Sequence, residues 1–371
     1  MVGRQSKDEA EPGGQRAADA GGAGFLPWSA AMEQALYSPD GFYRTQGGPA
    51  AHFRTSVHAS PLFAGAIVQL LRETDDALDR PDDLTLLDVG AGRGELLETV
   101  AAQLADDPLR DRLRLVGVEI AERPEDVAPT IEWWDALPAG DKGGEITGLL
   151  IANEWLDNIP CDVAEVTPDG WRIVEVAADG TEHLGPVPDP SQEAWLSAWW
   201  PQAGEPSDEP DELGPVRAEI GLLRDAAWLS AFSVLKRGVA IGIDYAHTRA
   251  SRPCFGTLTG YAHGRQTIPV PDGSCDITAH VALDACAAAV QADWTLHSTQ
   301  RDVFHSLGMT GGRPDLALAS SDPRGYLRAL SQSSALAELT DPDGLGGFGW
   351  LVQGLGVPPL AQLSGAKAQE N

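Results

Sequence analysis

Residues whose types and spacing could do chemistry gather in three short stretches. The first is LLDVGAGRGELLETV, 86–100, where an apolar run reaches Asp88 and then Gly90, Gly92 and Gly94 before a helix-like tail. Glycine weakens strands and helices alike, so three in five residues mark backbone that turns tightly or lies against something. A strand, a glycine-rich turn and a helix N-terminus make a site for the polar part of a nucleotide-like ligand. The spacing is selective. Dinucleotide loops read G-x-G-x-x-G and phosphate loops need G-K-[ST]. This loop reads G-x-G-x-G and carries Arg93 and Glu95, awkward neighbours for a pyrophosphate. The second stretch, LRLVGVEI (113–120), puts Glu119 near a strand end, where an acid that holds ribose hydroxyls is expected about 20 residues on. Asp135, after Trp133 and Trp134, is either a further polar contact from the loop after the third strand or simply solvated. The third, IANEWLDNIP (151–160), places Asn153, Glu154 and Asp157 where a fourth strand ends, the edge that faces the crevice in open α/β sheets. Glu154 and Asp157, three apart, would share one face of a helical turn. The bland alternative is that Asn153 caps a helix whose dipole the two acids complement.

Alternating strands and helices must position these groups. LTLLDVG (84–90), LRLVGVEI, EWWDAL (132–137), ITGLLIAN (146–153) and GVAIGIDYA (238–246) read as strands. ELLETVAAQLA (95–105) reads as a helix, and another helix reaches about residue 235. That alternation predicts an α/β fold with a mostly parallel sheet and flanking helices. SAAMEQALY (29–37) and SPLFAGAIVQLLRE (60–73), with Pro61 in its first turn, add two helices upstream. DVAEVTPDGWRIVEV (162–176) has the PDG turn of a hairpin, and PQAGEPSDEPDELGP (201–215) reads as a linker or exposed loop. The expected organisation is a disordered tail (1–24), an N-terminal helical segment (25–80), a core of 81–176 and 216–356 interrupted by an added lobe or insertion (177–215), and a flexible tail (357–371). Trp195 and Trp199 would share a helix face, either as core or inter-lobe packing or as a ligand cage.

Composition narrows the function classes. A formal net charge of −29 argues against nucleic acid and anionic membranes as partners and suits solubility or a cationic substrate. Four cysteines without C-x-x-C spacing fit neither a disulfide framework nor a zinc site, and agree with the cytoplasm. The opening MVGRQSKDEAEPGG has no apolar core of a secretory signal, and no run approaches the ~18 apolar residues of a membrane span. No metal site is expected.

Asp88-x-Gly90-x-Gly92-x-Gly94 resembles the loop of the class I S-adenosylmethionine-dependent methyltransferases, which implies a Rossmann-like core with S-adenosyl-L-methionine as cofactor. Its amino-acid end would approach the glycines, with Asp88 available to its ammonium, Glu119 to its ribose and Asp135 to its adenine. A more specific set of motifs spans roughly residues 35–356: GFYRTQG, HFRTSVHASPLFAGAI, NEWLDNIP, IGIDYAH, GSCDITAHV, STQRDVFHSLGM and GLGGFGWLVQGLG. Together they are similar to the MidA family, whose mitochondrial members are methyltransferase-like assembly factors of respiratory complex I. The resemblance implies protein arginine as a substrate class, with Asn153, Glu154 and Asp157 as the substrate-side cluster and Asp276, Thr278 and His280 near the cleft. Carboxylates there could orient a guanidinium and draw off its proton. The sequence departs from the family where T-S-P-E-[IV]-S becomes Thr55-Ser56-Val57-His58-Ala59-Ser60, and where the glycine of I-D-Y-G-H is Ala246. His58, His247 and His280 are either acid–base groups or hydrogen-bonded structural histidines. Three functions compete: a protein methyltransferase, a cofactor-binding assembly protein with little turnover, and a small-molecule methyltransferase.

Overall fold

The computed structural model describes residues 24–45, 56–138, 145–200, 215–262 and 264–365. The expected tail 1–24, Gly24 aside, and the acidic stretch 201–214 lie outside them. Seven strands form one sheet: β1 (Leu84–Val89), β2 (Leu113–Val118), β3 (Ile131–Trp134), β4 (Ile146–Asn153), β5 (Leu235–Asp244), β6 (Trp294–Thr299) and β7 (Gly349–Leu355). Their order across the sheet is β3-β2-β1-β4-β5-β7-β6. The expectation of a mostly parallel sheet needs amending, because the sheet is mixed. The pairings from β3 to β5 are parallel, whereas β7 runs antiparallel to both β5 and β6.

Both faces of the sheet are buried, and successive residues serve opposite faces. Leu86, Leu149, Ile241 and Trp350 join one apolar cluster, while Leu87, Leu150, Ala240 and Leu351 join the other. On the first face lie the helices Pro61–Ala77 and Glu95–Gln103; on the second, Leu222–Ser233 inserts Trp228. Ser60 caps the first of these helices, its hydroxyl accepting from the Leu62 amide, with Pro61 in the first turn as anticipated.

The second lobe is larger than the stretch 177–215. The hairpin Asp162–Thr167 and Gly170–Ala177 pairs with Arg217–Ile220 and with Phe25–Pro27 in a separate antiparallel sheet, completed by Glu182–Leu184. The hairpin was readable from its local turn, but its partners are distant in sequence. Trp195 and Trp199 fall in the helix Pro190–Trp199 and pack into this lobe. Residues 357–365, expected within a flexible tail, instead pack on the core through Val357, Leu360 and Leu363. Among the described residues no helix is long and apolar enough to cross a membrane.

One side chain ties the layers together at the sheet edge that matters. Arg224, in the first turn of Leu222–Ser233, is 2% exposed and donates to three carbonyls: Ile159 at 3.0 Å, His280 at 2.9 Å and Asp157 at 2.9 Å. It thereby joins the loop after β4 to the segment that follows the strand Asp276–Thr278, which pairs with Thr259–Ala262 in a small separate sheet. Replacing it with leucine strands those carbonyls and leaves the neighbouring buried acids without their cation. Arg224→Leu is expected to cost about 3–5 kcal/mol in urea unfolding. Arg224→Lys should recover only part, since an ammonium lacks the planar fork that reaches several carbonyls.

Candidate active site

The C-terminal ends of β1, β2, β4 and β5 lie level, with Val89 opposite Val118 and Ala152, and Ile243 opposite Asn153. Along this edge opens a cleft of about 970 Å³. Asp88, Gly90, Gly92, Glu119, Asp135, Asn153 and Glu154 all line it, so most of the site residues expected from sequence meet in one place. Gly94 and Asp157 are not on its wall.

The three glycines are there for different reasons. All have positive φ: 75° at Gly90, 55° at Gly92 and 84° at Gly94. A Cβ on Gly90 would lie 2.8 Å from Trp155 Cδ1, and one on Gly94 would press on Val127 and Trp133 at 3.3 and 3.4 Å. These two keep the loop packed. At Gly92 the nearest atom to such a Cβ is Glu95 Oε2, 3.9 Å away. Among the described residues no atom claims the space beside Gly92, which lines the cleft. The loop is tied down by the Gly90 and Ala91 amides, which donate to the Val118 carbonyl at 2.9 and 3.0 Å.

Glu119 follows β2 and braces the floor of the cleft. Its carboxylate accepts from the Gly92 and Ala121 amides, each at 3.0 Å, and its own amide donates to the Trp134 carbonyl at 3.0 Å. Asp88 is buried, and burial followed by the charges of Glu119 and Glu95 pushes its acid up to about 8. An acid in that position is relieved by a cation set against it. The backbone gap at Gly92, the acid of Asp88 and the ribose-height acid of Glu119 fit a ligand with an ammonium at one end and hydroxyls further along.

The loop after β4 is neither of the helical arrangements expected. Residues 154–160 form no helix, so Asn153 caps none and Glu154 and Asp157 share no helical face. Glu154 has φ 52°, a left-handed conformation that costs a non-glycine residue of order 1–3 kcal/mol. Its amide donates to the Ile243 carbonyl at 2.8 Å, while Oε1 accepts from the Ser56 amide at 2.9 Å and from Asn153 Nδ2 at 3.0 Å. Burial pushes this acid up to about 7 against the pull of those hydrogen bonds. Asp157 turns into the protein instead. Its Oδ2 accepts from Thr278 Oγ1 at 2.9 Å, and its amide donates to Asp244 Oδ2 at 3.1 Å. Burial raises the acids of both Asp157 and Asp244.

His247 and His280 are not on the cleft wall. His247 is buried against Arg252 and Trp200, and burial drives its ring down to about 2, so it is neutral. His280 stacks on Tyr245, and burial lowers it too. The side chain of His58 lies outside the described residues. Sequence reasoning missed Ser29, Glu33, Tyr37 and Tyr43 from the N-terminal segment, and Trp155 and Asn158 beside the acids, all on the cleft wall. The apolar spacing of Trp28–Tyr37 foretold the helix but not the direction of its polar face.

A seven-stranded sheet with a reversed last strand, opening a glycine-lined, acid-rimmed cleft at its C-terminal edge, defines a Rossmann-like methyltransferase fold. Over residues 62–300 the chain matches the family described as "Putative S-adenosyl-L-methionine-dependent methyltransferase", and it belongs to that family. It is a methyltransferase, and S-adenosyl-L-methionine is its cofactor. Two crystal structures from Burkholderia thailandensis share the fold. One, a methyl transferase candidate bound to S-adenosyl-homocysteine, has a TM-score of 0.74 at 24% identity, covering 93% of this chain and 92% of that one. The other, a native structure of an uncharacterized protein of the same superfamily, has a TM-score of 0.71 at 24% identity, covering 93% and 91%. No curated protein matches the chain.

Gly92→Ala should fold yet lose roughly tenfold or more in cofactor affinity by calorimetry, because its methyl group enters the ligand's space; Glu119→Ala should lose about 1.5–3 kcal/mol of binding. Asp88, protonated below about pH 8 in the free protein, should release its proton when an ammonium settles against it. Cofactor affinity should therefore rise with pH towards 8, and binding heats at pH 7 should vary with the ionisation enthalpy of the buffer. Asp88→Asn should abolish both effects.

Proposed function

We propose that this chain methylates a cationic protein side chain such as arginine, acting in the cytoplasm with a protein partner rather than nucleic acid or a membrane. The observation that carries this reading is Glu154: a buried carboxyl on the cleft wall, held in a left-handed backbone turn, with an acid strength near neutrality. Active sites hold such strained, perturbed groups where a proton must be handled. The charge of the cleft supports the choice of substrate. Among the described residues its wall carries seven acidic side chains, Asp88 and Glu154 held towards the neutral form and five others, against Arg93 as its cation. A cleft of that sign concentrates cations. The finer likeness to the MidA family, through NEWLDNIP and the flanking motifs, supports arginine within that class.

The cofactor supplies an electrophilic methyl group on a sulfonium. Everything else falls to the chain. Asp88, Gly90, Gly92, Glu119 and Asp135 bind and orient the cofactor. Asn153 and the Ser56 amide fix the Glu154 carboxylate, which orients a guanidinium and accepts the proton its nitrogen loses as it forms the bond to carbon. Asp157 supports the loop from beneath through Thr278 and Asp244.

The test is incubation with radiolabelled cofactor and cell lysate. Label is expected on protein. Glu154→Gln should leave cofactor affinity within about twofold and cut incorporation by about 10²–10⁴-fold. Since Glu154 must be ionised to accept a proton, wild-type incorporation should climb with pH through about 7, and this limb should vanish in the variant. Label confined to small molecules, or unchanged incorporation by Glu154→Gln, would overturn the proposal.

A further inference from the structure

Asn158, on the cleft wall beside Glu154, is held at three points. Its Nδ2 donates to the Glu154 carbonyl at 3.0 Å, its Oδ1 accepts from the Tyr43 hydroxyl at 2.5 Å, and its carbonyl accepts from the Tyr37 hydroxyl at 2.9 Å. The Tyr43 oxygen also lies 2.9 Å from Oδ1 of Asp276, which is 4% exposed on the strand Asp276–Thr278 and does not reach the cleft. A phenol has one proton to give. The shorter contact claims it for Asn158. Turning the carboxamide over would not help, because its oxygen would then face the Glu154 carbonyl, acceptor against acceptor. The contact between Tyr43 and Asp276 is a hydrogen bond only if Asp276 supplies the proton.

We propose that Asp276 is kept as a neutral carboxylic acid and serves as the positioning residue for Asn158. Its O–H donates to Tyr43, Tyr43 donates to Asn158, and Asn158 donates to the Glu154 carbonyl, all in one direction. The chain fixes which end of the carboxamide faces which partner, and it leaves the second N–H of Asn158 as a donor for a ligand. If Asp276 ionises, it competes for the phenolic proton and Asn158 loses its anchor.

The surroundings favour the neutral form. Asp157 faces Asp276 from the loop after β4, Tyr37 and Tyr43 face it from the N-terminal segment, and Tyr261 lies opposite it in register on the neighbouring strand Thr259–Ala262. Arg224, the nearby cation, acts on Asp157 and spends its hydrogen bonds on carbonyls. Among the described residues no cation pairs with Asp276. Burial, then the charge of Asp157, push its acid up to about 7.

The sign of the linkage follows. An acid whose folded value is raised contributes stability that is full below about pH 4, its unfolded range, and lost as pH rises through about 7. Asp276→Asn copies the neutral acid, since its amide can donate to Tyr43, and removes the titration. The full-length wild type and this variant are melted between pH 5 and 8. The variant should gain on the wild type as pH rises, whereas parallel curves would overturn the proposal. Infrared difference spectra, wild type minus variant, should show a protonated-carboxyl band at pH 5 that disappears by pH 9, and its absence would equally overturn it. Neither measurement needs methyl transfer, so both stand whatever becomes of the proposed substrate class. In the labelling assay, which rests on that proposed function, wild-type incorporation should fall several-fold between pH 7 and 9 and Asp276→Asn should keep its rate. Asp276→Ala and Tyr43→Phe should be slow throughout. Equal alkaline losses in wild type and Asp276→Asn would show that Asp276 does not set this limb.

Discussion

The site depends on a guanidinium buried among carboxylates. Arg224 is the deeply buried cation near Asp157, Asp244 and Glu219, and it satisfies its donors on backbone carbonyls rather than in an ion pair. That choice has a structural result. A carboxylate partner would fix one side chain, whereas carbonyl partners fix chain path, here at Asp157, Ile159 and His280. The loop after β4 is thereby held open and irregular, where local sequence would otherwise let it coil. Glu154 can keep its left-handed conformation because the loop is fastened at both ends, by the Ile243 carbonyl at one and by Arg224 at the other.

The two halves of the cleft are built differently. The half at the glycine loop is mostly backbone: Gly90 and Gly92, tied amides and the level ends of parallel strands. The half around Glu154 is assembled from groups far apart in sequence, the Ser56 amide meeting Glu154 and the Tyr37 and Tyr43 hydroxyls meeting Asn158. Backbone geometry tolerates surface variation well, while side-chain constellations change with single substitutions. Such a division lets one fold keep its cofactor while acceptors differ.

That difference also decided what could be read beforehand. β4 was legible to its last residue, because an unbroken apolar run ended at Asn153. The glycine loop announced itself, since three costly residues persist in one turn only where backbone bends tightly or something lies against it. The Glu154 turn did not, because a non-glycine residue at φ 52° leaves no mark in the sequence. A three-residue spacing of acids therefore looked helical and was not. Asp157 went astray for the same reason, and its partners Thr278 and Asp244 lie far along the chain. The lobe was misjudged in extent because a hairpin reports its own turn and nothing of the strands that flank it. β7, within GLGGFGWLVQGLG, gives no strand signal of its own, because its glycines mask an apolar run that is buried on both faces.

The reversed β7 bears on how the polypeptide is made. β7 lies between β5 and β6, so β6 has no place in the sheet until Gly349–Leu355 arrives. While a ribosome is still adding residues, β5 presents a bare edge from Gly238 to Asp244, the strand whose end anchors the Glu154 loop. An apolar strand left waiting in this way invites pairing with another nascent chain. Of the seven strands of this sheet, the last in chain order is thus the one that seals it, and a translation product stalled before Gly349 would carry the glycine loop beside an unsealed edge.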